Sequence, residues 1–361
     1  MGRRNRSQDI ELALLGLAMS FPNTLVATVA AALGVSKTAV NARARHLVET
    51  GYLLREGTTR PVYRPGRNKR RVFDYALAGL AEDQVWFRDV LPMFEGLPQN
   101  VLDICQHGLT EMVNNAIDHS EGSRVWVYID RFEDEITQMV LDDGVGIFHK
   151  ISAALELPDE RLALLELSKG KLTTDPSRHS GEGVFFTSRM FDTFQIHSGD
   201  LVFDHDDSRT DDFLFESQQR NGWTGTRVIM QIVATSERSA KEVFDLYSSG
   251  PDDYSFEKTV VPLRLARTGN DNLVSRSQAK RVLQRVDRFK VVMFDFESVP
   301  TIGQAFADEI FRVFALAHPD VELNIVNASP EVQQMIRRAE VARDAPGSLP
   351  GVHKRRGAQN R

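Results

Sequence analysis

The sequence predicts an α/β protein built from several domains. Its 361 residues are enough for two or three domains, and 42% hydrophobic with 26% charged residues is typical of a globular chain. Apolar strand-like runs alternate with helical stripes along most of the chain, which is the pattern of an α/β fold. Charge is unevenly distributed, because residues 1–71 hold 13 Lys/Arg against 4 Asp/Glu although the whole chain has a net charge of −6.

Composition excludes several classes of protein. No apolar run reaches the roughly 18 residues that a membrane span needs, so we expect no membrane segment. Cys105 is the only cysteine, which excludes an intramolecular disulfide and argues against a zinc site built on cysteines. Near the N-terminus, basic residues precede an apolar stretch as in a signal peptide, but Asp9 and Glu11 interrupt that pattern. We therefore expect a cytoplasmic protein.

Residues 1–71 form the basic head of the chain. Gly34 breaks a helical stripe, and Ser36 is a favourable N-cap for the next helix. The stretches YLLRE and PVYRP then alternate as strands around the turn EGTTR. This order resembles a winged helix-turn-helix, followed by the basic stretch RPGRNKRR (64–71), which we expect to be a linker. In such a domain the second helix enters the major groove of DNA.

The resemblance and the positive charge together imply that duplex DNA is a partner of the head. A winged helix used only for protein contacts is the alternative interpretation. The side chains expected to reach bases or phosphates are Lys37, Thr38, Asn41, Arg43 and Arg45 on the second helix, with Arg60 and Arg64 in the wing.

The stretch EMVNNAIDHS (111–120) places a glutamate and two asparagines in a predicted helix. Glu111 and Asn115 are four residues apart and so lie on the same side of that helix. A carboxylate and an amide oxygen stacked in this way suit Mg²⁺, which prefers oxygen ligands and keeps several waters. A solvated helix face would show the same pair.

The stretch ITQMVLDDGVGIF (136–148) is an apolar strand that ends at Asp142. The carboxyl group of Asp142 is placed to accept a hydrogen bond from an exocyclic amine. Gly144 and Gly146 allow the backbone to bend sharply and to approach a ligand closely. A calcium loop is the alternative, but the further oxygen ligands and the terminal glutamate of such a loop are missing.

Two further glycine motifs follow along the chain. Gly181 and Gly183 precede a predicted helix, and backbone N–H groups at such a helix start can bind an anion. Gly225 and Thr226 stand at the start of another apolar strand, where an ordinary turn is the alternative.

In order and spacing, the four motifs resemble the boxes of the ATPase superfamily that includes gyrase, histidine kinases, MutL and the anti-sigma-factor kinases. The resemblance covers residues 85–235 and implies a Bergerat-type α/β sandwich over residues 72–240, with ATP and Mg²⁺ as cofactors. It implies that Glu111 activates the nucleophile, Asn115 coordinates Mg²⁺ and Asp142 reads the adenine amino group. The remaining implied ATP-binding residues are Gly144, Gly146, Gly181, Gly183 and Thr226, beneath a mobile lid (149–183).

Residues 273–340 alternate between strand and helix, with VVMFDF and VELNIVNA as strands. They resemble the STAS-like domains of anti-sigma-factor antagonists, particularly a STAS-like family of unknown function, and imply a protein partner. Phosphorylatable members carry Asp-Ser where the next helix opens, but those positions here are Gly303 and Gln304. The usual phosphoacceptor is therefore missing. We expect a linker at 241–272 and a disordered basic tail at 341–361.

Together these observations predict an ATP-dependent regulatory protein that binds Mg·ATP and hydrolyses it to control the DNA-binding head, the STAS-like domain, or both. A serine/threonine kinase acting on a separate partner and a transcription factor with a catalytically silent nucleotide site both stay open, and a homodimer is compatible with the sequence. A histidine kinase is not expected, because no histidine lies between the wing and residue 100.

Overall fold

The computed structural model describes residues 6–172, 181–206, 213–216, 224–250, 253–267 and 272–344. The chain divides into two compact units, Met1–Ala154 with Phe186–Val243 and Leu155–Phe185 with Phe244–Arg361. Both units mix helices and strands, so the predicted α/β multidomain class is confirmed.

Three helices and a hairpin begin the first unit. They are α1 (Arg6–Leu17), α2 (Leu25–Leu33), α3 (Lys37–Glu49), β1 (Leu53–Glu56) and β2 (Val62–Pro65). Helix α2 ends at Gly34, whose φ of +63° is left-handed, and the Ser36 hydroxyl caps α3 by accepting a hydrogen bond from the Ala39 N–H at 3.2 Å. The helices and the antiparallel hairpin enclose one apolar core that includes Leu14, Val29, Val40 and Leu47.

The chain continues directly into the second part of this unit. The next elements are β3 (Lys69–Ala76), α4 (Glu82–Gln84) with its π-helical (Val85–Val90) and 3-10 (Leu91–Phe94) extensions, α5 (Gln99–His119), β4 (Arg124–Phe132), β5 (Glu135–Asp142) and α6 (Ile147–Ala154). The basic stretch 64–71, expected to be a linker, instead ends β2 and begins β3. Lys69 pairs with Arg131 of β4, so backbone pairing holds this stretch in the fold.

Further along the chain lie α7 (Leu162–Lys169), α8 (Gly183–Met190), β6 (Thr193–Ser198), β7 (Leu201–Asp206), β8 (Phe213–Glu216) and β9 (Thr226–Val233). Seven of the described strands form an antiparallel sheet in the order β3-β4-β5-β9-β6-β7-β8. Helix α5 contacts β5 and β9 of this sheet. A Cβ at Gly108 of α5 would lie only 2.4 Å from the Phe191 ring, so glycine allows this close packing.

The remaining elements are α9 (Ala240–Tyr247), β10 (Ser248–Gly250), β11 (Asp253–Phe256), β12 (Lys258–Pro262), a 3-10 turn (Leu263–Ala266), α10 (Arg276–Leu283), a second 3-10 turn (Val286–Arg288), β13 (Val291–Asp295), α11 (Gln304–Asp308), a π-helical segment (Glu309–Phe314), α12 (Ala315–Ala317), β14 (Glu322–Val326) and α13 (Pro330–Asp344). Strands β12, β13 and β14 form a parallel sheet in that order, and they belong to the second unit.

The segment 241–272, expected to be a linker, contains most of α9 and the strands β10, β11 and β12. The short run KTVVP is a strand because it pairs in parallel with β13, a contact that a local pattern of five residues does not reveal. The expected tail, 341–361, begins inside α13, and its residues after 344 lie outside the described residues.

Candidate functional site

Helix α5 carries Glu111 and Asn115 close to its C-terminal end. Its buried side includes Cys105, Leu109 and Met112. Glu111 and Asn115 are half-buried and lie one turn apart on the side next to that stripe. Asn115 lies five residues before Ser120, or about 7 Å along the helix axis at a rise of about 1.5 Å per residue.

Asp142, the last residue of β5, is buried at 5% exposure. Its Oδ1 accepts hydrogen bonds from the Gly144 N–H at 2.9 Å and from the Thr226 N–H at 3.1 Å. The Thr226 hydroxyl lies within hydrogen-bonding reach of the same carboxyl group, and it also accepts a bond from the Ile147 N–H at 3.0 Å. Burial raises the pKa of Asp142, and the hydrogen bonds from Gly144 and Thr226 only partly oppose it.

The glycines after Asp142 are required by close backbone contacts. A Cβ at Gly144 would lie 2.1 Å from the Ser120 carbonyl oxygen at the end of α5. Gly146 has a φ of +89°, and a Cβ there would lie 2.5 Å from the Ser198 hydroxyl. The Val145 N–H donates to the Ser120 carbonyl at 2.9 Å. The loop after β5 is thus held against both the end of α5 and the loop before β9.

The side chain of Asp143 binds other partners than that of Asp142, and it stabilises the turn between α5 and β4 by hydrogen bonds. Its carboxylate accepts hydrogen bonds from the Ser123 N–H at 2.7 Å, the Ser123 hydroxyl at 2.7 Å and the Arg124 N–H at 2.8 Å. Burial acts to raise the pKa of Asp143, but these hydrogen bonds outweigh it and lower the pKa. Asp143 is visible beside Asp142 in the sequence, but no local pattern indicates this role for it.

The second glycine motif lies in the second unit. Gly181 has a φ of +74°, and a Cβ there would lie 2.4 Å from the Leu172 carbonyl carbon. The Leu172 N–H donates to the Gly181 carbonyl at 2.9 Å, and Gly183 is the first residue of α8. Of the expected lid (149–183), α6 belongs to the first unit, α7 belongs to the second, and residues 173–180 lie outside the described residues.

The structure therefore brings Asp142, Gly144, Gly146 and Thr226 into direct contact at one end of the sheet, beside the C-terminal end of α5. Gly181 and Gly183 belong to the second unit, so they are described separately from this group. In the described part of the chain, no group of three or more His, Cys, Asp and Glu side chains is arranged to hold a metal ion.

Most of the residues expected to contact DNA are exposed. Lys37, Thr38, Asn41 and Arg45 recur at helical spacing on the outer side of α3. Arg60 and Arg64 are also exposed, and Arg64 pairs with Glu56 at 3.2 Å across the hairpin. Arg43 differs from this group, because its guanidinium lies 3.5 Å from the Glu11 carboxylate of α1. Arg43 is thus held towards α1 rather than on the outer side of α3.

A cluster of buried charges in the second unit was not predicted. It consists of Glu166 and Lys169 on α7, together with Arg285 after α10. The sequence contains one signal for it, a Glu and a Lys three residues apart inside the apolar run LALLELSK. Charged residues are rarely buried unless they are paired, so this spacing indicates a buried ion pair.

The C-terminal sheet has the strand and helix order expected for residues 273–340, with β12 added at its edge. Helix α11 begins at Gln304 with Gly303 as its N-cap, where a phosphoacceptor would be expected. Residues 278–333 match the family model described as "STAS-like domain of unknown function (DUF4325)". The C-terminal part is a STAS-like domain. The match extends from α10 to the start of α13. The sheet of this STAS-like domain belongs to the second unit.

No curated protein matches the chain. None of the helices in the described part of the chain combines the length and the apolar character that a bilayer crossing requires.

Proposed function

We propose that this protein is an ATP-dependent regulator, which binds Mg·ATP at a site centred on Asp142 and hydrolyses it to control a DNA-binding head and the STAS-like domain. The observation that carries the proposal is the environment of Asp142. The carboxyl group of Asp142 is buried at a strand end, and this burial raises its pKa. The backbone N–H groups of Gly144 and Thr226 hold it in place. Costly burial of an acid with a shifted pKa is characteristic of functional sites.

The surroundings of Asp142 fit an adenine ring. Both backbone N–H groups bind Oδ1, so Oδ2 is the oxygen that we assign to the exocyclic amine of adenine. The Thr226 hydroxyl, which lies within hydrogen-bonding reach of the same carboxyl group, supplies a second polar group. A site built to bind an amine rejects a base that lacks it, because the buried polar group would be left unpaired.

Asn115 and Glu111 fit the roles of metal ligand and nucleophile activator. A single amide oxygen suits Mg²⁺, which is usually held by few protein ligands and keeps several waters. When bound, Mg·ATP supplies the phosphoryl group and a metal that neutralises charge on the phosphates. We assign to Glu111, one helical turn before Asn115, the role of orienting and deprotonating a water or a hydroxyl group.

The exposed face of α3 supports the DNA-binding part of the proposal. Lys37, Asn41 and Arg45 recur every four residues on a helix that starts with a capped N-terminus. A helix presented in this way suits the major groove of DNA, where basic side chains contact phosphates and base edges.

One labelling experiment tests the function of the nucleotide site. The full-length protein is incubated with Mg²⁺ and γ-labelled ATP, and both phosphate release and protein labelling are followed. We expect phosphate release. Transfer of label to an added protein would instead support a serine/threonine kinase, and ATP binding without turnover would support a silent nucleotide site. Absence of any ATP binding would contradict the proposal.

Asn115 and Asn114 provide a matched pair of variants for this experiment. Both are half-buried asparagines on α5, but only Asn115 lies four residues after Glu111, the spacing of the proposed Mg²⁺-binding pair. We expect Asn115→Ala to abolish Mg²⁺-dependent ATP binding and Asn114→Ala to retain it. Equal losses in the two variants would mean that the helix, not a ligand oxygen, was affected.

Glu111→Ala tests whether the nucleotide state reaches the head. Turnover should fall by about 10²–10⁴ while ATP binding is retained, because general-base assistance is lost but Asn115 is not. Asp103→Asn, which changes an exposed acid on the same helix, should leave turnover unchanged. DNA affinity of Glu111→Ala should differ between the ATP-bound and nucleotide-free states at one salt concentration. Equal affinities would place the effect of ATP elsewhere, most directly on a partner of the STAS-like domain.

A further inference from the structure

Helix α7 is an integral part of the second unit. It contacts β12 and the 3-10 turn that follows this strand, and its residues Leu162 to Leu165 are buried. The Thr259 hydroxyl of β12 donates to the Lys169 carbonyl at 2.7 Å. Part of the segment expected to be a mobile lid is thus packed against the parallel sheet of the STAS-like domain.

Three buried charges reinforce this packing, and we refer to Glu166, Lys169 and Arg285 as the α7 anchor. The Lys169 ammonium group is fully buried and lies 2.6 Å from the Glu166 carboxylate, which is 2% exposed. The Arg285 guanidinium binds the other oxygen of Glu166 at 2.8 Å. One carboxylate therefore neutralises two cations, and removing it would leave both cations buried without a counter-charge.

The two cations of the α7 anchor also bind backbone carbonyl groups, and Lys171 next to it does the same. The Lys169 ammonium group donates to the Gln284 carbonyl at 3.0 Å, and Arg285 donates to the Gly170 carbonyl at 2.6 Å. Lys171 donates to the Arg288 carbonyl at 3.0 Å and lies 4.7 Å from the Phe289 ring centre. The end of α7 is thereby fixed to the turn between α10 and β13, which lies inside the family match.

The anchored segment leads directly to the second glycine motif. A Cβ at Gly170 would lie 2.4 Å from the Phe256 ring, so the chain passes close to the core of this unit as it leaves α7. Two residues later, the Leu172 N–H binds the Gly181 carbonyl at 2.9 Å. Gly181 and the start of α8 at Gly183 are consequently positioned by the same unit that contains the STAS-like domain.

We propose that the STAS-like domain regulates the nucleotide site, by using the α7 anchor to set the position of Gly181 and Gly183. This inference rests on the proposed function, because it takes these two glycines as the phosphate-binding motif. Any partner or change that strains the anchor then alters ATP binding, and ATP binding in turn alters the anchor, since coupling between two sites is reciprocal.

Arg285→Gln in the full-length protein is the appropriate variant, because Lys169 still neutralises Glu166 and the fold should be retained. Lys280→Gln is its control, since it removes an exposed cation from neighbouring α10 without touching the anchor.

Hydrogen exchange of residues 162–172 and the Kd of a non-hydrolysable ATP analogue with Mg²⁺ are measured for each protein. We expect faster exchange and an at least about 5-fold change in Kd for Arg285→Gln, with Lys280→Gln like the wild type. In the wild type, the analogue should also change exchange at residues 162–172.

Faster exchange with an unchanged Kd would show that the anchor is only structural and would overturn the inference. If Arg285→Gln does not fold, Thr259→Val decides in the same way, because it removes one hydrogen bond to the Lys169 carbonyl and keeps all charges. If the wild type binds the analogue and the variants match it in exchange and in Kd, this inference alone is contradicted. A wild type that binds no ATP overturns the proposed function and this inference with it.

Discussion

Arg70 of β3 and Asp130 of β4 occupy paired positions and form an ion pair of 2.6 Å. Tyr52, which follows α3, donates to the same carboxylate at 2.7 Å, and the Arg70 guanidinium lies 4.5 Å from the centre of the Tyr52 ring. Glu11 of α1 lies 4.0 Å from Arg70 on the other side. The three-helix head is thus bound to the edge of the seven-stranded sheet by a connected network of charges, and a rotation of the head would have to break it.

Asp130→Asn should destabilise the first unit by about 1–3 kcal/mol, because Arg70 is then left partly buried beside an uncharged amide. The measurement is urea unfolding of the full-length protein, followed by tyrosine and tryptophan fluorescence. Asp74→Asn is a matched control, since Asp74 pairs with Arg124 between the same two strands but at the exposed surface. Its effect should stay below about 1 kcal/mol. Equal effects of the two variants would contradict a role for the network in holding the head.

Asp142→Asn should stabilise the protein while it weakens discrimination of ATP from GTP. Because burial raises the pKa of Asp142, the ionised form is disfavoured in the folded state, and this cost grows as the pH rises above the unfolded pKa of about 4. We expect a gain of about 0.5–2 kcal/mol at pH 7, as is common when a strained functional group is removed. The gain should vanish as the pH falls below the carboxyl group's unfolded pKa of about 4.

Asp143→Asn is the neighbouring control, and its effect should have the opposite sign. The pKa of Asp143 is lowered in the folded state, so its carboxylate contributes stability above a pH of about 4 that is lost in acid. Thermal unfolding of both variants at pH 3 and pH 7 measures the two effects. A destabilised Asp142→Asn would show that Asp142 serves the fold rather than a ligand, and equal binding of ATP and GTP by the wild type would contradict its role in reading adenine.

Arg45→Ala and Arg43→Ala should differ in their effect on DNA binding. Arg45 is exposed on the outer side of α3, so its loss should weaken binding and lower the salt dependence by about one phosphate contact. Arg43 is held by Glu11, so its loss should change DNA affinity less. Affinity for duplex DNA at several salt concentrations separates the two. Binding that ignores salt, or no binding at all, would favour a head that contacts proteins.

Within the α7 anchor, Glu166→Gln should be far more damaging than Lys169→Met. The first leaves two buried cations without a counter-charge, which costs about 3–5 kcal/mol, whereas the second leaves Arg285 paired with Glu166. Equilibrium unfolding in urea compares the two variants at pH 7. A Lys169→Met variant that is as unstable as Glu166→Gln would contradict this account of the anchor.

The pH dependence of stability gives the anchor a second signature. Burial lowers the pKa of Lys169 to about 8, below the unfolded value of about 10.4, so the folded state binds fewer protons between these two values. The contribution of Lys169 to the free energy of unfolding therefore rises with pH across that window. Lys169→Met should lack this rise. An identical pH profile in the wild type and the variant would show that Lys169 keeps its ordinary pKa.

Local patterns predicted the elements that depend on neighbouring residues. Gly34 ends α2, Ser36 caps α3, and Glu111 and Asn115 lie on a helix, α5, as predicted. Each of these features depends on contacts within a few residues, so the sequence contains the whole signal. The strand end at Asp142 and the need for glycine at 144 and 146 were likewise visible as a change from apolar to small residues.

The assignment of segments to units depended instead on contacts between distant residues. Lys69 and Thr259 lie in stretches that look like linkers, and they became strands because partners more than 30 residues away pair with them. Arg43 was expected to contact DNA because of its charge, but its guanidinium pairs with Glu11 of α1. Helix α7 fits a mobile lid by its place between motifs, but Glu166 and Lys169 bind it to Arg285 more than a hundred residues later. The chain's local periodicity thus established which elements form, whereas strand pairing and charge pairing between distant residues established where they belong, because those energies depend on partners that no local window contains.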